Sequence, residues 1–195
     1  MFKPRETMIA LFFWGILFFC QSLATSSGKF EGDYPAAIEV MMMLPKTYLF
    51  QSAFYISTLD CALQVFFNRN LSFNGLSKSY RMYNLIDLYK TGRYQGRALY
   101  VRDFEDYKII LDNRPEKHFL PKRSLLILYS DKRRCMVTKN PESHLPDKAC
   151  SLLLTEGAFQ HPPMECTEAF RRHCGEPARN YTDISKCQQH NNYIQ

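Results

Sequence analysis

The stretch "MECTEAFRRHCGEP", residues 164–177, places two cysteines eight positions apart on what reads as one short helix. Pro162 and Pro163 precede it, Glu165 and Glu168 lie early, and Arg171, Arg172 and His173 lie late, so its charges complement the helix dipole; Gly175 supplies a C′ residue. At about 1.5 Å rise per residue the Cα atoms of Cys166 and Cys174 stand about 12 Å apart. A disulfide needs them within about 7 Å. They cannot bond each other, and because Cys166, Phe170 and Cys174 at i, i+4 and i+8 share one stripe, the helix has to be stapled at both ends to other parts of the chain. The nearest candidates are Cys135 and Cys150. A zinc site built from Cys166, His173 and Cys174 is the weaker reading in an oxidising compartment.

That compartment is indicated by the N-terminus. Lys3 and Arg5 precede the apolar run "MIALFFWGILFFC", residues 8–20, which is shorter than the roughly twenty residues of a membrane span and is followed by the small residues of "SLATSSG". This is the form of a signal peptide over residues 1–26, cleaved after Ala24 or Ser26. The mature chain, 27–195, is expected to be one secreted domain with no membrane span. Loss of Lys3, Arg5 and Glu6 takes the formal charge from +6 to +5, and the basic clusters Lys132-Arg133-Arg134 and Arg171-Arg172 read as a turn and a solvated helix face. Nucleic acid is not an expected partner. Cys20 leaves with the signal, so Cys61, Cys135, Cys150, Cys166, Cys174 and Cys187 remain for disulfides. The sequons at Asn70 and Asn180 predict glycosylated surface segments.

The chain carries no internal repeat, low-complexity tract or Gly/Ser linker. A helix is expected over 35–44, with proline in its first turn and Pro45 ending it, and its Met41-Met42-Met43 run is read as a buried plug in preference to a metal-binding box. Eight segments rich in aromatic and β-branched residues follow, at 47–56, 61–68, 78–86, 96–102, 106–112, 122–130, 133–139 and 149–155. They are joined mostly by short connections that suit antiparallel neighbours. The fold class is all-β, an up-and-down barrel or a sandwich; a closed eight-stranded barrel has interior room for side chains or one small ligand.

Strand parity constrains the cysteines further. Cys135 and Val137 share one face, and Cys150, Leu152 and Leu154 share another; if the helix packs outside a barrel, those faces point out to it. Met136, Ser151 and Leu153 then point inward.

The C-terminal half, from "LLILYSDKRRCMVTKNPESHLPDKACSLLLTEGAFQ" through "HPPMECTEAFRRHCGEPARNYTDISKC", resembles the tick salivary lipocalins, the group that includes the histamine-binding proteins. "YLFQSAFYISTLDC" fits the same pattern. The resemblance implies an eight-stranded lipocalin barrel and disulfides Cys61–Cys187, Cys135–Cys166 and Cys150–Cys174. It also implies secretion in saliva and sequestration of a host inflammatory mediator, a form of immune evasion. Amine-binding members tend to carry an Asp after the first cysteine of this region and a Glu and an aromatic in the next strand. Here the matching positions are Met136, Ser151 and Leu153. A buried cation needs an anion or an aromatic face to offset its desolvation, so a hydrophobic or lipid ligand is expected in preference to histamine, with Glu105 or Asp106 near the mouth as candidates for a second amine site. The only tryptophan, Trp14, belongs to the signal, so Phe50 or Phe54 is expected to close the barrel floor.

The predicted ligand-binding residues are Tyr100, Tyr107, Ile109, Met136, Ser151 and Leu153, with histamine or serotonin as the alternative ligand. A host protein partner, such as a complement component held by loops 68–78 or 114–122, is the competing reading. Catalysis is not expected: His118, His144, His161, His173 and His190 are scattered, with no nucleophile-elbow, HExxH or phosphate-loop pattern. Neither cofactor nor metal is called for.

Overall fold

A computed structural model describes residues 30–73, 76–115, 123–141 and 149–189. The signal segment and most of the 114–122 loop lie outside the described residues. The chain divides into two compact units, Met1–Glu31 and Gly32–Gln195, and the second holds all the described helices and strands.

Eight strands follow one another as antiparallel neighbours: β1 Lys46–Ser52, β2 Leu59–Phe73, β3 Leu76–Tyr89, β4 Tyr94–Glu105, β5 Lys108–Asp112, β6 Arg123–Ser130, β7 Cys135–Lys139 and β8 Cys150–Leu154. β1 pairs with β2 through Lys46, Thr47 and Tyr48 and with β8 from Tyr48 to Ser52, so the sheet closes on itself. Where β1 parts from β2, a two-residue strand, β9 Arg179–Asn180, takes over its free edge at Gln51 and Ser52. The helices are α1 Ala37–Met43, α2 Glu156–Phe159, α3 Met164–Cys174 and α4 Ser185–Gln189.

Two expectations change at the level of strands. The segment between Asn68 and Lys78 is not a loop, because β2 and β3 stay in register from Cys61 opposite Leu88 to Phe73 opposite Leu76. β4 joins β3 only from Met82 onward, so the outer part of this hairpin stands beyond the barrel as a two-stranded ribbon. Its Asn68, Arg69, Ser77 and Lys78 are exposed, and the apolar alternation that marks a half-buried strand fades there while the backbone ladder continues. Asp106 does not start a strand; it takes φ 48° in the tight turn between β4 and β5.

The parity expected for β7 and β8 holds. Cys135, Val137, Cys150, Leu152 and Leu154 pack with Cys166, Ala169 and Phe170 of α3 in a core outside the barrel, while Met136 and Leu153 belong to a separate interior core. The disulfides are Cys135–Cys166, Cys150–Cys174 and Cys61–Cys187, the last tying α4 to β2. α3 ends at Gly175, with φ 80° and its N–H donating to the Arg171 carbonyl at 2.9 Å.

The chain entering α1 is clamped to the same helix. Gly32, at φ 89°, passes so close to β6 that a Cβ would lie 2.7 Å from the Tyr129 ring, and its carbonyl accepts the Ser130 N–H at 2.9 Å. Next to it the buried Asp33 accepts hydrogen bonds from Arg172 Nη2 at 2.7 Å and His173 Nε2 at 2.9 Å. Burial alone would raise the Asp33 carboxyl, but the bonds from His173 and Arg172 outweigh it and hold the group below the ordinary carboxylate range. A carboxyl depressed on folding adds stability above its unfolded pKa and loses it as pH falls through the lower folded value.

Asp33→Asn is therefore expected to cost about 2 kcal/mol at neutral pH, and its deficit against the unaltered protein should shrink below about pH 4, where the unfolded carboxyl protonates; urea melts at several pH values read both. Replacing Cys135 and Cys166 together by alanine should cost about 3 kcal/mol, seen as a lower denaturant midpoint.

Candidate functional site

The two ends of the barrel differ because the chain crosses only one of them. α1 lies over the end formed by the start of β1 and the β4–β5 turn. Its Ala37 N–H donates to the Asp106 carbonyl at 2.7 Å, and just after it the Pro45 carbonyl accepts the Phe66 N–H at 2.7 Å. Ala37, Val40, Met41 and Leu44 are buried there against Phe66, Ile109, Ile127 and Met136. The floor is thus closed by α1. Phe50 lies in the outer core, edge-on to Phe159 with centroids 5.5 Å apart, and Phe54 sits at the opposite end. Only Met41 of the methionine run acts as a plug; Met42 and Met43 are 67% and 61% exposed, because a helix lying on a barrel end turns just one stripe inward.

The other end opens into a cavity of about 220 Å³. Its mouth is framed by Ser52 at the end of β1, Phe54 and Ile56 after it, Asn140 and Ala149 between β7 and β8, and Tyr181 after β9; its walls carry Leu49, Ala62, Leu85, Leu125 and Leu153. Polar groups are few. Gln64 is buried and donates from Nε2 to the Met136 sulfur at 3.4 Å, a weak acceptor. Thr138 and Ser151 add hydroxyls.

Asp87 and Tyr181 stand out in this wall. Tyr83, Leu85 and Asp87 alternate inward along β3, which sets a carboxylate at the end of an apolar file beside the mouth. Burial raises the Asp87 carboxyl above its ordinary value, and Arg97 on β4 only partly offsets this. Among the described residues the Asp87 carboxylate receives no hydrogen bond and makes no ion pair. The Tyr181 hydroxyl is buried without a partner among the described residues, and burial pushes its titration up, an effect the Arg179 charge opposes and the Asp87 charge reinforces. A carboxylate and a hydroxyl left unpaired at the edge of an apolar cavity are groups a ligand could satisfy.

The residues expected from sequence are distributed as follows. Ser151 and Leu153 line the cavity. Met136 and Ile109 point inward but are fully buried in the packed core near the closed end. Tyr100 is on the outer face: it pairs with Met82 rather than Tyr83 and lies edge-on to Tyr80 at 5.5 Å. Tyr107 is in the β4–β5 turn, edge-on to Tyr34 at 4.9 Å. Glu105 and Asp106 occupy that same turn at the closed end, not the mouth, and Glu105 is exposed beside Lys108 at 3.3 Å. Asp87 was missed, although the alternation Tyr83-Leu85-Asp87 marks it as an acid on an apolar face. Tyr181 carried no such signal, since it follows a two-residue strand set only by the fold. Asn70 and Asn180 are exposed. The cluster Asp131, Cys135 and Cys166 has metal-ligand residue types, but its cysteines are bonded to each other.

An eight-stranded antiparallel barrel plugged at one end and open at the other on an apolar cavity is a binding protein of the lipocalin type. A family model described as tick histamine binding protein matches residues 77–189, more than half of the chain, and the chain belongs to that family. Among solved structures it is similar to the major allergen Per a 4 from cockroaches, with a TM-score of 0.54 over 82% of this chain and 96% of the allergen at 7% identity. That is a likeness of fold alone. A search of curated proteins finds no match.

Tyr181→Phe removes an unpaired buried hydroxyl while keeping the ring and the sequon. The ligand-free variant should be as stable as the parent or up to about 1 kcal/mol more stable, measured by thermal melting.

Proposed function

We propose that this protein is a secreted scavenger of a small host mediator, holding an apolar or aromatic body in the lumen and a protonated amine against Asp87 and the Tyr181 hydroxyl. The observation that carries the reading is the Asp87 carboxylate, without a hydrogen bond or ion pair among the described residues, in the wall of a mostly apolar cavity. A cation placed there recovers the electrostatic stabilisation that burial withholds from the carboxylate. The wall formed by Met136, Ser151 and Leu153 offers no charge, so amine recognition would come from β3, across the barrel from the strands where the sequence pattern had looked for it. A cavity of about 220 Å³ favours a compact amine such as histamine or serotonin over a long-chain fatty acid, whose carboxylate would also meet Asp87 with like charge.

A neutral lipid is the second reading, supported by the leucine-rich walls at Leu49, Leu85, Leu125 and Leu153. Three disulfides and the absence, among the described residues, of a helix long and apolar enough to cross a membrane fit the secreted setting.

Calorimetric titration with serotonin and histamine distinguishes the two lumen readings. Asp87→Asn should weaken amine binding at least about tenfold, the loss of one charge-assisted bond, and leave a neutral sterol unaffected. Amine affinity of the unaltered protein should fall as pH drops through the raised Asp87 pKa, beginning at higher pH than for an exposed carboxylate. Amine affinity that Asp87→Asn leaves unchanged would sink the proposal.

A further inference from the structure

A second cavity, of about 240 Å³, opens at the closed end of the barrel and shares no residue with the lumen. Met41, Met42 and Pro45 form one side; Phe66, Phe67 and Arg81, at the base of the β2–β3 ribbon, form the other. Two features give it a ligand chemistry. The first is charge: no Asp or Glu occurs between Asp60 and Asp87, while Arg69, Lys78 and Arg81 lie in that interval. Arg81 is exposed and makes no ion pair among the described residues. Its guanidinium is steadied only by the Phe104 ring, with 5.7 Å to the centroid. Asn68, which also lines the cleft, stands directly opposite Arg81 in the ladder and adds an amide beside it.

The second feature is the apolar lining. Met42 is 67% exposed, outside the buried stripe of Ala37, Val40, Met41 and Leu44 that anchors α1, and methionine thioethers adapt to flexible hydrocarbon. An unpaired guanidinium at one end of such a cleft matches a carboxylate in a bidentate fork. We infer that this cleft binds a small anionic amphiphile, its carboxylate on Arg81 and Asn68 and its hydrocarbon chain on Met41, Met42, Phe66 and Phe67. The site is independent of the lumen and opposite to it in charge preference: Asp87 selects a cation, Arg81 an anion. Asn70 lies two residues beyond Asn68 on the same face of the ribbon, so a glycan there would stand at the edge of the cleft.

The methionines supply a test that separates the two cavities, because Met42 lines the cleft while the Met136 sulfur accepts a hydrogen bond from Gln64 of the lumen wall. Full-length secreted protein carrying Asn70→Gln and ¹³C-methyl methionine is titrated with dodecanoate below its micellar concentration. The Met42 methyl resonance should move saturably while that of Met136 stays in place. Arg81→Gln, at an exposed ribbon position, should weaken this binding by about tenfold or more, as expected for a lost charge-assisted contact, and dodecyltrimethylammonium should not reproduce the shift. Movement of Met136 without Met42, no saturable shift at all, or equal affinity in Arg81→Gln would overturn the assignment.

Discussion

The rest of the structure depends on the alternation of side chains along β7 and β8. Because Cys135 and Cys150 face outward, α3 can lie across both strands with Phe170 at 0% exposure between its two disulfides. The same alternation turns Met136, Ser151 and Leu153 inward, so the bracing of the outer wall and the chemistry of that part of the inner wall are one decision. A one-residue slip of either strand would turn its cysteine into the barrel and break a disulfide. α3 in turn holds the entering chain through Asp33, which leads directly into the α1 plug.

The consequence is a barrel with two unlike ends. At the closed end the backbone bonds from Ala37 to Asp106 and from Phe66 to Pro45 seat α1 over a packed interior, and the lumen keeps its open volume toward the mouth. Belonging to a histamine-binding family makes this a ligand-binding barrel, and its cavity wall carries one carboxylate among the described residues. Its charge is carried by Asp87 on β3 and not by the β7–β8 wall.

Much of the scaffold was legible because it follows from local rules. Helix rise excluded a bond between Cys166 and Cys174, strand period two sorted inward from outward residues near them, and Gly175 marked the end of α3. The candidate site was legible only in part. Ser151 and Leu153 were reached through parity anchored on cysteines, whereas Tyr100 and Tyr107 were chosen for residue type without such an anchor, and they fall on the outer face and in a turn. Asp87 could have been reached by carrying parity along β3. Glu105 and Asp106 were placed at the wrong end because whether a turn lies at the mouth or the plug depends on where α1 crosses, and no local pattern encodes that.

The amino-acid sequence by itself determined the number and order of barrel strands, the outward cysteine faces and the helix they hold, because each rests on a short-range period or reach. Only the tertiary structure decided that β2 and β3 run on past the barrel as a ribbon, that Asp87 and Tyr181 meet at one mouth, and that Arg81 faces Met42 across a separate cleft. Those pairs are brought together by ring closure of the sheet and by the course of the chain across its ends. Such long-range contacts arise from the closed hydrogen-bond ladder as a whole.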